Sequence, residues 1–241
     1  MKRTERRHLK QNEFQEVFTQ AVDMIGERRS ELTKTLLVVA VIGLGAASYW
    51  GWYQYRQDKA HTMLADAMVT EDARVGPPAD ATGGSGGLTF PTEHERTVAA
   101  IAKFKAVADA YPSTDAGTFA RYQEASLQVS AGNTADAVKA YQAVIDRSGD
   151  GLYGQMAKLG LAEAYARAGQ YEQAITGYKE LALRKDGQLP VDGILIELGR
   201  TYRDAGKKAD AQQTFNRIVE EFPDSPFTPD AKRELDALKK A

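Results

Sequence analysis

The chain has 241 residues, a net charge of −2 and no cysteine, which is length enough for one or two domains with a real core. Lack of cysteine excludes disulfides, thiolate metal sites, a cysteine nucleophile and a cysteine-borne lipid anchor, and the near-neutral charge does not mark nucleic acid as a partner. His8, His61 and His94 are scattered and form no ligand cluster, so neither a metal nor a cofactor is expected.

Residues 1–34 read as a cytoplasmic basic and amphipathic tail. Phe14, Val17, Phe18, Ala21, Val22 and Ile25 recur at helical spacing, opposite Glu13, Gln15, Glu16, Gln20 and Asp23. The stripe suits either a helix lying on a membrane or a dock for a protein partner. Residues 35–55, TLLVVAVIGLGAASYWGWYQY, contain no charged side chain. At ~1.5 Å rise per residue they span roughly 31 Å, the thickness of a bilayer core, and are read as a single transmembrane helix. Tyr49, Trp50, Trp52, Tyr53 and Tyr55 form an aromatic belt at its C-terminal end. That belt and the long leading segment argue against a cleaved signal peptide. Eight basic residues precede the span (Lys2, Arg3, Arg6, Arg7, Lys10, Arg28, Arg29 and Lys34). The positive-inside rule therefore puts the tail in the cytoplasm and the C-terminal part outside. Gly43, Ala47 and Gly51, four apart, offer a small-residue face to another membrane helix.

Residues 56–75 read as a helical extension, with a modest stripe of Ala60, Met63, Leu64, Ala67 and Met68. It is expected to supply the first packing helix of the C-terminal helical domain. Residues 76–92 contain Pro77–Pro78 and four glycines around Ser85, and are expected to form a flexible loop. No Gly-Lys-Ser or Gly-Lys-Thr closes this run, so it is not a phosphate-binding loop.

Residues 93–241 carry a 37-residue period. It appears as Gly132, Gly169 and Gly206, as Ala137, Ala174 and Ala211, and as Tyr141, Tyr178 and Phe215. Ala100, Phe104 and Val107 form a partial copy one period upstream. Such a period predicts a solenoid of helical hairpins. The first full repeat has Glu124 and Gln128 where the second has Leu161 and Tyr165, and a one-residue shift onto Leu127 is the expected remedy. Thr228–Pro229 reads as the start of a last helix, with Leu235 and Leu238 as a narrow stripe suited to capping the end.

The second full repeat, LAEAYARAGQYEQAITGYKEL from Leu161 to Leu181, strongly resembles the tetratricopeptide repeat. The residues that carry the likeness are Leu161, Ala162, Tyr165, Gly169, Tyr171, Ala174, Tyr178 and Leu181. The third matches similarly through Leu195, Leu198, Gly199, Tyr202, Gly206, Ala211, Phe215, Ile218 and Pro223, and departs at Lys208. The implied fold is all-α: one transmembrane helix, then three full repeats, a partial N-terminal repeat and a C-terminal capping helix. The layout of short tail, single span and short repeat array is similar to the YfgM-like ancillary subunits of the bacterial Sec translocon. That resemblance implies an inner-membrane protein with periplasmic repeats that attends newly exported polypeptides.

In this repeat class the first helix of each hairpin lines the concave face. Counting back from the turn glycines gives Phe119, Tyr122, Ser126, Val129 and Ser130, then Met156, Leu159, Glu163, Ala166 and Arg167, then Gly193, Ile196, Arg200, Arg203 and Asp204. The expected protein-binding groove is therefore Phe119, Tyr122, Met156, Leu159, Glu163, Arg167, Ile196, Arg200 and Arg203. It is apolar at one edge and basic at the other, suited to apolar peptide segments with acidic flanks. Capture of a carboxylate tail by the lysine and asparagine of chaperone clamps is disfavoured, because Tyr122 and Ser126 stand at those positions. No nucleophile elbow, metal-ligand pair or phosphate loop points to an enzyme or a small-molecule substrate. The reading is an adaptor or chaperone-like subunit that binds translocon components or exported polypeptides. The alternative is a structural scaffold for another envelope complex.

Overall fold

The computed structural model describes residues 29–76, 88–184 and 187–240. The tail stripe at Phe14 to Ile25 and the proline-glycine run at 77–87 lie outside them. Among the described residues the chain is all-α, with nine helices and one pair of two-residue strands. These residues fall into two compact units divided between Tyr55 and Arg56.

Helix α1 (Arg29–Glu71) enters both units. In the first unit its apolar side chains Leu36, Leu37, Val38, Val39, Val41, Ile42 and Leu44 are all exposed. The helix is long and apolar enough to cross a membrane, and none of that apolar stretch is buried in protein. The rings of Tyr49 and Trp52 sit 6.0 Å apart on adjacent turns of the belt.

The second unit is a helical-hairpin solenoid. Its helices are α2 (Glu93–Ala110), α3 (Asp115–Ser130), α4 (Thr134–Ser148), α5 (Leu152–Arg167), α6 (Tyr171–Ala182), α7 (Val191–Asp204), α8 (Lys208–Glu221) and α9 (Thr228–Lys240). The pairs α3–α4, α5–α6 and α7–α8 are the three full hairpins. Each turns at its periodic glycine, with φ of 79°, 73° and 75° at Gly132, Gly169 and Gly206, a region that side chains with a Cβ resist. The hydrogen bonds are the same each time. Gly132 N–H donates to the Val129 carbonyl and Asn133 N–H to that of Gln128, and the pattern recurs 37 and 74 residues on. This is the Schellman closure of a helix end, and it satisfies carbonyls that the helix leaves open.

The other periodic positions form the core. Ala137, Ala174 and Ala211 are fully buried, and Tyr141, Tyr178 and Phe215 are at most 3% exposed. The rings lie directly on small residues of neighbouring helices. A Cβ on Gly199 would meet the Phe215 ring at 2.4 Å, and one on Gly160 would meet the Tyr141 ring at the same distance.

The solenoid starts earlier than residue 93. The outer part of α1 pairs with α2 as an additional hairpin: Met63, Leu64 and Ala67 pack with Ala100, Phe104 and Val107. Arg56 donates to the Ala110 carbonyl at 3.1 Å and lies over the Tyr111 ring, while Lys103 reaches Asp66 at 2.7 Å. The expected extension to Val75 is also shortened. Helix α1 stops at Glu71, and strand β1 (Arg74–Val75) pairs in parallel with β2 (Thr89–Phe90). Gly76 N–H donates to the Phe90 carbonyl at 2.9 Å. The loop expected over 76–92 is thus pinned at both ends by backbone hydrogen bonds. Beyond it, Thr92 caps α2 by accepting from Glu95 N–H.

The first full hairpin keeps the common register, and no shift onto Leu127 occurs. Glu124 and Gln128 occupy the places of Leu161 and Tyr165 and are 5% and 9% exposed. Both have partners. Arg121 reaches Glu124 at 2.6 Å, and Asn133 Nδ2 donates to Gln128 Oε1 at 2.8 Å. Leu127 packs instead against the preceding hairpin. Polar pairing thus replaces apolar contact at one repeat, a substitution that a hydrophobic pattern cannot show.

Burial pushes the Glu124 carboxyl above its ordinary value of 4.5, and Arg121 opposes the shift. A carboxyl raised in the fold favours folding below its unfolded pKa, and that contribution is lost as pH rises through the folded value. We predict that Glu124→Leu raises the thermal midpoint at neutral pH by an amount worth up to ~1–4 kcal/mol, since Arg121 keeps Asp109 as a partner. The same variant should flatten the decline in stability above pH 4.5. A lowered midpoint at neutral pH would show that this position does not belong to the apolar register.

Candidate functional site

The inner face is built by α3, α5 and α7, whose equivalent residues recur at the 37-residue period. On α3 and α5 it is open. Phe119, Tyr122, Met156, Leu159 and Glu163 are half-buried, and Arg167 is exposed. The Phe119 ring stands 6.3 Å from that of Tyr153, and Tyr122 meets Tyr141 edge-on at 5.7 Å. Leu159 packs partly against the core of the second and third full hairpins, and Tyr122 against that of the first. These side chains are anchored at their base and accessible at one side, which is the disposition of a preformed apolar surface.

The third hairpin differs. Ile196, expected in the groove, is 1% exposed and belongs to the core. The expected basic edge is not free either. Arg200 bonds Glu197 at 2.7 Å and Asp230 at 3.2 Å, and Arg203 bonds Glu234 at 2.6 Å and Asp204 at 2.9 Å. Asp230 and Glu234 lie on α9. Gly193, one turn before Ile196 on α7, faces Phe227 at the entry to α9. Helix α9 therefore stands beside α7, tied to it by these ion pairs, and buries Ala231 and Leu238 in the shared core. Arg167 has a carboxylate too, Glu163 at 2.8 Å. All three arginines of the expected groove thus have carboxylate partners, so its C-terminal part is charge-balanced.

Residues missed at the sequence level have a signal in the repeat itself. Asp230 and Glu234 follow Gly193 and Glu197 by one period, so α9 stands where the first helix of a further repeat would stand. Tyr153 comes against Phe119, and the buried Tyr141 ring supports Tyr122 from the core.

The opposite side carries three clefts at repeat-equivalent positions. One, of 210 Å³, is floored by Leu161 and Tyr165, and one, of 260 Å³, by Leu198 and Tyr202. The third is lined by Arg121, Glu124, Gln128 and Lys139, so polar side chains stand where the other two have Leu and Tyr. Burial and the charge of Glu163 hold the Tyr122 phenol above its usual range, and burial does the same for Tyr141 and Tyr178 with Glu163 adding to it. No group of three or more acidic or histidine side chains suited to a metal occurs among the described residues.

The profile of a family described as a tetratricopeptide repeat-like domain matches residues 28–240, from the apolar helix through the last helix. The chain belongs to that family, and its repeats are a protein–protein interaction module. No curated protein matches the sequence.

The closed third hairpin yields a prediction. A double-mutant cycle on Arg203→Ala and Glu234→Ala should give a coupling of about 0.5–1 kcal/mol, reduced at high salt because both groups touch solvent. Strictly additive effects would mean that the pair does not fasten α9 to α7.

Proposed function

We propose that this protein is a single-pass inner-membrane subunit whose repeats stand in the periplasm and bind polypeptide. In this reading it works beside the Sec translocon as an adaptor or chaperone-like partner of exported chains, and residues 1–34 remain cytoplasmic. One observation carries the polypeptide-binding part. The inner face of the first two full hairpins carries Phe119, Tyr122, Met156 and Leu159, each half-buried and partly accessible, while at the third the equivalent Ile196 is in the core and Arg200 and Arg203 are paired with carboxylates of α9. Partly accessible apolar side chains gathered on one face suit an interaction surface. The anchor is supported by the uncovered apolar helix and by a family match that runs through it. The orientation is supported by the eight basic residues before the span. The translocon assignment is supported by the resemblance in layout to the YfgM-like subunits.

Protease added to intact spheroplasts should digest the repeats and spare the tail, and protection of the repeats would reverse the orientation. Met156→Asp with Leu159→Asp should reduce crosslinking to exported polypeptides about tenfold or more, since each is a half-buried anchor worth on the order of 1 kcal/mol or more. The circular dichroism should stay unchanged. Undiminished crosslinking by the folded double variant moves the site elsewhere. Recovery of one fixed stoichiometric neighbour in place of transient clients would make the protein a scaffold.

A further inference from the structure

We propose that the open inner face selects a basic side chain, lysine or arginine, within the apolar segment it binds, and that Glu163 receives it. The inference rests on the polypeptide-binding reading and names the chemistry of the partner.

Glu163 sits between the two open hairpins. Its ion-pair partner is Arg167, four residues along the same helix, at 2.8 Å, with side chains 59% exposed for Arg167 and 47% for Glu163. A pair so exposed and so local is weak and opens readily. Among the described residues no ion pair links Glu163 to another hairpin. The first hairpin places Ser126 at the equivalent position. The third places Arg200 there, and Arg200 turns away to Glu197 and Asp230. Glu163 is therefore an inner-face carboxylate whose ion pair is local to its own helix.

Its surroundings are aromatic. Tyr122 and Tyr141 form an edge-on pair at 5.7 Å. Gly160, one turn before Glu163 on α5, lies against the buried Tyr141 ring, so the carboxylate stands beside this pair, of which the half-buried Tyr122 is the accessible member. A carboxylate beside aromatic rings suits an ammonium or guanidinium group, which gains a charge-assisted hydrogen bond and the attraction of the ring quadrupole. An acidic side chain placed there would meet a like charge in a partly desolvated site.

The rest of the face does not provide this selectivity. Arg200 and Arg203 are matched by Asp230 and Glu234, so they neither demand acidic flanks nor repel a distant cation. The preference is local: one cation at Glu163, with apolar neighbours seated along Phe119, Met156 and Leu159.

The test uses the full chain in phosphatidylcholine nanodiscs, read by fluorescence anisotropy against empty discs. The probes are short fluorescein-labelled leucine–alanine peptides with a central lysine, glutamine or glutamate. The lysine peptide should bind about fivefold tighter than the glutamine peptide, the equivalent of ~1 kcal/mol, and the glutamate peptide weakest. Glu163→Gln should abolish the lysine preference, so that the lysine and glutamine peptides bind equally. Arg167→Ala, which frees the carboxylate, should increase the preference. Equal binding of lysine and glutamine peptides, or a preference that persists in Glu163→Gln, overturns the proposal and leaves the groove standing. Failure of every peptide to bind overturns the groove reading and this inference with it.

Discussion

The ring of Phe215 lies so close to Gly199 that a single added carbon would collide with it at 2.4 Å. That contact, an aromatic from a second helix pressed on a glycine or alanine of a first helix, is the constraint on which the solenoid depends. Close packing tolerates neither a larger residue beneath the ring nor a smaller one in its place. The 37-residue spacing reflects it, because each hairpin must present its small residues and its aromatic at the same height to stack on the next. The left-handed glycines complete the geometry by reversing the chain within two residues and satisfying the carbonyls of the helix they end.

Such strict positional demands explain why much of the fold was legible in the sequence. The turn glycines, the buried alanines and the aromatic triplet could be assigned from periodicity alone. The unseen parts share a physical character. Glu124 and Gln128 carry no hydrophobic signal, yet they fill apolar positions because Arg121 and Asn133 satisfy them. The β1–β2 pairing is two residues long, held by backbone groups that have no side-chain signature. Ile196 looked available because its repeat position is only half-buried in the other hairpins, whereas here it lies in the core that the last two hairpins share with α9. The arginines of the third hairpin misled for the same reason, since their partners lie 30 and 31 residues away on α9.

Helix α9 thus does two jobs with one register. By standing where a further repeat would begin, it covers the apolar end of the array and neutralises Arg200 and Arg203. On the first helix of the second hairpin, by contrast, Glu163 keeps only a solvent-exposed pair with Arg167. An inner face that is aromatic and apolar around one lightly held carboxylate is a different recognition surface from the basic-edged groove that the sequence pattern suggests. It arises from the same repeat once the final helix is in place.

The central claim is that the open face of α3 and α5 is where another chain binds. The most direct measurement is site-specific photocrosslinking in growing cells, with benzoylphenylalanine placed in turn at positions 122, 159, 200 and 183. Crosslinks to other polypeptides are expected from 122 and 159. None is expected from 200, which α9 flanks through Asp230, or from 183, where Leu183 is exposed beside an outer cleft. Crosslinks from 183 with silence at 122 and 159 would contradict the claim and put the partner on the opposite side of the solenoid.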